Sequence, residues 1–253
     1  MHFHLPKPLH GWREFLGEVG IIVVGILIAL ALETFADEYR WSGKVAEARQ
    51  QLRYEVGDNL LLLHTRNRLT RCIDERIDEL GLILNEAIKN GRLPPVGGPV
   101  GGVFFGLHPT GVWQSQVSAQ TGTHLSAGQL AALSRIYRNI DLVRDGIVRE
   151  KTAWDTLQAM TGPGRPVDPS TSDRIASALG TVRITNSSMA ILESNIRAVL
   201  AEGTLGADFP QIDPQNRPNV EPFLRKTKIC QPIPHNAPPI YGMAPPYKLT
   251  GLR

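Results

Sequence analysis

Two features of this chain combine residue types and spacing that could do chemistry: one acid at the edge of an apolar run, and a cluster of acids on a candidate helix. Glu18 stands directly before Val19 to Leu32, VGIIVVGILIALAL. A carboxylate just inside a bilayer boundary is costly, so unless Glu18 snorkels to the headgroups it needs a partner or a water-filled cavity. Where several copies met, like-charge crowding would favour its protonated form, as a proton relay requires. Asp74, Glu75, Asp78 and Glu79 are interleaved with Arg71 and Arg76. Spacings of three and four make local ion pairs, so this cluster reads as a solvated helix face rather than an acid/base centre. His2-x-His4 is a closely spaced pair in a tail and a weak basis for a metal site. The familiar catalytic arrangements are not in the sequence: no H-E-x-x-H, no G-x-S-x-G and no E-x-x-H pairs of the kind di-iron bundles use. Gly97-Gly98-Pro99-Val100-Gly101-Gly102 lacks the Gly-Lys-Ser/Thr ending of a phosphate loop and follows helical sequence, not a strand. The sequence therefore assigns no catalytic residue, no cofactor and no metal, and the expectation is a protein that is not an enzyme. An unfamiliar site beneath the glycine-rich stretch is the remaining enzymatic alternative.

Composition narrows the partners. The chain has 253 residues and a formal net charge of +3, with no concentrated Lys/Arg block interleaved with aromatics, so nucleic acid is not an expected partner. Its two cysteines, Cys72 and Cys230, lack C-x-x-C spacing, which removes thioredoxin-like, zinc-ribbon and c-type haem readings. Either they are two buried thiols, or they form one long-range disulfide that would staple the tail to the first soluble helix, as an oxidising compartment permits.

The element that would position Glu18 is a membrane span. The strictly apolar run is short for a hydrocarbon core of about 30 Å, but extension from Phe15 to Phe35 gives about twenty residues, enough at roughly 1.5 Å each. Trp12 and Phe15 on one side and Phe35, Tyr39 and Trp41 on the other supply the interfacial aromatics. A cleavable signal peptide competes, because Ala29-Leu30-Ala31 resembles a cleavage site, but Glu14 and Glu18 are unusual beside an h-region. Basic residues flank both ends, Lys7 and Arg13 against Arg40, Lys44, Arg49 and Arg53, so charge counting does not orient the span. A short leading tail before one span and a long following domain favours a cytoplasmic amino terminus. Along one face, Glu18, Ile22, Gly25, Ala29, Leu32 and Ala36 recur at alternating spacings of four and three, a heptad-like seam. Within it Gly25 and Ala29 form a small-xxx-small pair that lets transmembrane backbones approach, although glycine and alanine are also common in apolar helices.

Beyond the span the apolar period is helical. Val45, Leu52, Val56, Leu60 and Leu63, then Leu69, Ile73, Ile77, Leu80, Leu84 and Ile88, keep that spacing until Asn90-Gly91 and Pro94-Pro95. A break at Gly57 to Asn59 or at Thr65 to Asn67 is left open. Residues 91–125 read as a long Gly/Pro-rich loop in which Phe104, Phe105 and Trp113 pack or bind. Ser126-x-x-Gln129 and Ser170-x-x-Asp173 fit the capping pattern at the starts of two further helices. The first aligns Leu133, Ile136, Ile140, Val143, Ile147, Trp154 and Leu157 and runs toward Gly162-Pro163. The second, running toward Gly203, aligns Ile175, Leu179, Val182, Asn186, Met189, Ile196 and Leu200. Asn186 interrupts that stripe as a register-setting polar residue or, more commonly, as a partly exposed side chain. A short connection makes the two helices antiparallel. The prolines of 207–253 preclude long helix and read as an extended arm, either disordered or wrapped along its own bundle or a neighbour through Phe209, Phe223, Ile229, Ile233, Tyr241 and Tyr247. The predicted fold is all-α: a cytoplasmic tail 1–14, a transmembrane helix 15–36, an extracytoplasmic helical domain 37–206 and a Pro-rich arm 207–253.

The opening His10-Gly11-Trp12-Arg13-Glu14-Phe15, with Glu18 and Gly25-Ile26-Leu27-Ile28-Ala29-Leu30, resembles an uncharacterised family of bacterial single-span membrane proteins. The resemblance covers roughly the first forty residues, implies a bacterial membrane location and supplies no activity. The expectation is thus an interaction protein of the bacterial inner membrane, its main domain periplasmic, partnered by the bilayer and by other membrane-protein subunits or itself. A ligand-sensing bundle acting through a transducing partner is the alternative.

Overall fold

A stretch without proline, in which five scattered glycines do not break the rod, carries α1 from Trp12 to Asn67. The computed structural model describes residues 11–102, 106, 108–209 and 228–233. The protein is all-α, with five α-helices among the described residues. After α1 come α2 (Thr70–Asn90), α3 (Gly111–Ser118), α4 (Ala127–Leu157) and α5 (Pro169–Ala201), with two-residue strands β1 (Arg92–Leu93) and β2 (Arg165–Pro166). Two compact units divide between Gln50 and Gln51, so α1 contributes to both.

In the first unit, α1 carries the apolar run, and its side chains from Phe15 to Phe35 are exposed. This helix is long and apolar enough to cross a membrane, and none of its most apolar eighteen-residue window is buried against protein.

The second unit is a bundle with two core clusters. One gathers Leu52, Val56, Leu60 and Leu63 of α1 with Leu133 to Val143 of α4 and Met189 to Leu200 of α5. The other gathers Leu69 to Ala87 around α2 with Trp154 and Leu157 of α4 and Ile175 to Val182 of α5. α4 and α5 pack against each other and each serves both clusters, while the end of α1 and then α2 take successive places beside them. The bundle thus has three rods, one of them broken between Asn67 and Thr70. At the break Leu69 N–H bonds Arg66 O at 2.9 Å, a tight turn that shifts the chain onto a new helical course. Neither glycine nor proline marks it.

Caps and turns fix the ends. The Ser126 box forms with both of its hydrogen bonds, Gln129 N to Ser126 Oγ at 3.2 Å and Ser126 N to Gln129 Oε1 at 3.3 Å. The Ser170 box does not. Asp168 caps α5 instead, accepting from Thr171 N at 2.7 Å, and Pro169 takes the first helical position. Proline's fixed φ and a stronger carboxylate acceptor move the start two residues earlier. Gly91 ends α2 in the left-handed region at φ 64°, as a residue without Cβ can. β1 and β2 pair antiparallel, Arg92 opposite Pro166, and tie the end of α2 to the α4–α5 connection. The stretch 91–125 is therefore not one long loop, since it holds β1, α3 and a 3-10 turn at Thr121–His124. Phe104 and Phe105 lie outside the described residues, as do His2, His4 and all of the Pro-rich arm except 207–209 and 228–233.

Candidate functional site

The seam residues come first. Glu18, Ile22, Gly25, Ala29, Leu32 and Ala36 are all exposed on α1, and a Cβ added at Gly25 would meet nothing within 4 Å. Trp12, Phe15, Phe35 and Tyr39 are exposed, and Trp41 is half-buried with Lys44 Nζ 4.6 Å above its ring. An unburied apolar helix surface of this length has two available environments, lipid or another apolar helix.

At the break in the broken rod the second unit carries a buried charged layer. Arg66 donates through Nη2 to both oxygens of Glu150 at 3.0 Å and through Nη1 to Asn186 Oδ1. Glu150 is fully buried and also accepts from Trp154 Nε1 at 3.3 Å. Asn186, 1% exposed, donates to Asp74 Oδ1 at 2.8 Å and to Thr70 O at 3.0 Å. Its partly exposed reading is therefore corrected: the amide joins α1, α2 and α5 at the level where α1 ends and leaves polar groups to satisfy. Next to it, Glu193 accepts from Asn67 at 2.7 Å, His64 at 3.0 Å and Arg197. Burial alone would raise the Glu193 carboxyl, but the hydrogen bonds from Asn67, Arg197 and His64 outweigh it and hold it below the usual carboxylate range. Three buried atoms, Arg66 Nε, Asn67 Oδ1 and Thr70 Oγ1, find no partner among the described residues, and all three lie at the break.

Two further buried polar groups hold the segment after β1. Glu55 accepts from Tyr137 Oη at 2.6 Å and from Val112 N and Trp113 N, the opening amides of α3, at 2.8 and 3.0 Å. A carboxylate at a helix start is well placed electrostatically, and Trp113 stacks on Tyr137 with ring centroids 4.8 Å apart. Asn59 donates to Pro109 O at 2.7 Å and lies 3.0 Å from His108 Nδ1. Burial, aided by the Arg144 charge, pushes the His108 imidazole down to about 4.

Cys72 and Cys230 are joined in a disulfide, linking α2 to a turn 158 residues away. Beside it Arg76 is buried and donates to Val100 O and Gln231 O, and Glu79 accepts from Ile233 N at 2.9 Å. Ile229 and Ile233 fill the core between these groups. Only part of the acidic cluster on α2 is therefore a solvated face. Arg71–Glu75 is exposed, but Arg76, Glu79 and Asp74 bind backbone and side chains of other segments, because α2 turns this side toward 228–233 and α5.

Sequence reasoning missed Arg66, Glu150, Glu55 and Asn59 as a group. The available signal was register: Glu150 falls between Ile147 and Trp154 on the apolar stripe of α4, and Asn59 beside Leu60 on that of α1. A polar residue at a core position marks a buried network or a break. Chemically, each carboxylate in these networks is occupied by donors that bridge helices. No group of three His, Cys, Asp or Glu able to hold a metal occurs among the described residues. Comparison of the chain with models of protein families, with curated proteins and with solved structures finds no match.

Proposed function

We propose that this protein is a single-pass membrane-anchored interaction protein, an accessory or structural subunit of an inner-membrane assembly or a homo-oligomer. The observation that carries the reading is the contrast between its helices. α2, α4 and α5 bury an apolar stripe in the bundle, whereas the Phe15–Phe35 surface of α1 buries none. The bilayer covers that surface, and the Gly25/Ala29 face offers the close approach a neighbouring transmembrane helix needs. The Cys72–Cys230 bond supports placing the bundle on the periplasmic side, since disulfides persist in oxidising compartments. The amino terminus is then cytoplasmic. The resemblance of the opening residues to bacterial single-span proteins agrees with that placement.

Purification of the full chain from its own membranes in mild detergent, followed by native mass measurement, tests the proposal. The expected result is a defined assembly heavier than the 27.8 kDa chain, dissociated when Gly25→Leu and Ala29→Leu are introduced together. A monodisperse monomer with no co-purifying protein overturns it.

A further inference from the structure

α4 and α5 pack against α1 and α2 on one side, yet both also present apolar residues elsewhere. Leu142, Val148, Ile184 and Ile191 are 46%, 65%, 69% and 61% exposed. Leu142, Ile184 and Ile191 rim one depression lined only by α4 and α5, and Val148 lines a second; the two meet at Arg149. From Leu142 to Thr156 the resulting groove is about 21 Å long at 1.5 Å per residue. Its floor is made of small residues, including Gly146, Ala153 and Ala178. A valley between two antiparallel helices with a small-residue floor is where a further helix of a bundle lies. Contiguous exposed apolar surface of this kind marks an interaction site.

Charge selects the occupant. The groove is lined by Arg149 and Arg174 and by no carboxylate. Neither arginine has an acidic partner among the described residues, and both are exposed, so each is open to a carboxylate from outside the chain. A second copy presenting the same groove would set arginines against arginines. Residues 210–253 of this chain bring more basic than acidic side chains and are rich in proline, so they match neither the charge nor the helical form. We propose that the α4–α5 groove holds an acidic amphipathic helix of a partner protein, with apolar side chains between Leu142 and Ile191 and carboxylates at Arg149 and Arg174. This rests on the reading of the chain as an interaction protein and names the chemistry of its partner.

The test places a photo-crosslinking residue at Thr181, on the groove wall, in the full chain in its native membrane, and sequences the crosslinked peptide. The expected adduct is a segment of another protein with helical apolar spacing and net negative charge. Its yield falls roughly tenfold in Arg149→Glu/Arg174→Glu and returns in Arg149→Lys/Arg174→Lys, because opposite charge is required. The exposed, unpaired arginines leave the melting temperature unchanged, which is measured on each variant. An adduct with lipid, with a second copy of this chain or with a basic segment overturns the proposal. So does a yield indifferent to charge reversal, or no adduct. Native mass measured on the same preparation separates the two readings. An assembly that persists without a groove adduct removes only the groove, and a monomer removes the interaction reading as well.

Discussion

At the scale of the residue, Glu150 shows how a buried charge is made tolerable. It accepts two hydrogen bonds from Arg66 and one from Trp154 at full burial between the two apolar clusters. Removing one partner leaves the other uncompensated, so Glu150→Ala should cost about 3–5 kcal/mol in urea unfolding. Arg66→Met combined with Glu150→Leu should cost less than either single change, because the desolvation penalty disappears with both charges. His108 gives the pH dependence. Its folded value near 4 lies below the ordinary ~6.5, so the unfolded chain binds more protons between those values. Stability is then fully present above about pH 6.5 and declines as pH falls toward 4, by up to roughly 3 kcal/mol from this group. Glu193, held below its ordinary value, acts in the same direction at still lower pH. Replacing His108 with Gln should flatten the curve between pH 6.5 and 4 in unfolding measured across that range. An unchanged slope would assign the acid sensitivity elsewhere.

Elements differ in how far the sequence foretold them. α4 was legible because Ser126 and Gln129 make a reciprocal cap and its apolar residues keep one period. The start of α5 was misplaced by two residues, since Asp168-Pro169 outcompetes a serine signal just downstream. The break between α1 and α2 was only one of two options. Arg66 to Leu69 contains no breaker, and what ends the helix is tertiary: Arg66 and Asn67 bond into α4 and α5 instead of serving a continuous rod. α3 was not foreseen at all, because Glu55 supplies its N-terminal acceptor from more than fifty residues away. The networks were hidden for the same reason, for no local spacing brings residues 66, 150 and 186 together. The disulfide is the element-scale device with the largest expected effect. Closing 158 residues of chain corresponds to about 5 kcal/mol in the loop-entropy picture. Cys72→Ser with Cys230→Ser should therefore cost 2–5 kcal/mol, of the order found for native bridges. Limited proteolysis should then cut around 228–233, where Ile229 and Ile233 no longer have a covalent tether. Equal resistance with and without the bond would assign that anchoring to Arg76 and Glu79 alone.

At the scale of the whole molecule, the two units divide the apolar surface unequally. The bundle buries most of its apolar stripes in two core clusters and adds charged layers that fix how three rods meet, which is structural work. The Phe15–Phe35 stretch of α1 hides none, and the groove on α4 and α5 leaves a second, smaller surface open. These two surfaces are what the proposed interaction role requires. Its most direct test is fractionation of the native membrane with alkaline carbonate, followed by intact-mass measurement of the protein in each fraction. The account predicts that the protein stays in the pellet with Phe15 to Phe35 still attached. A soluble protein whose mass begins after Ala31 would contradict it.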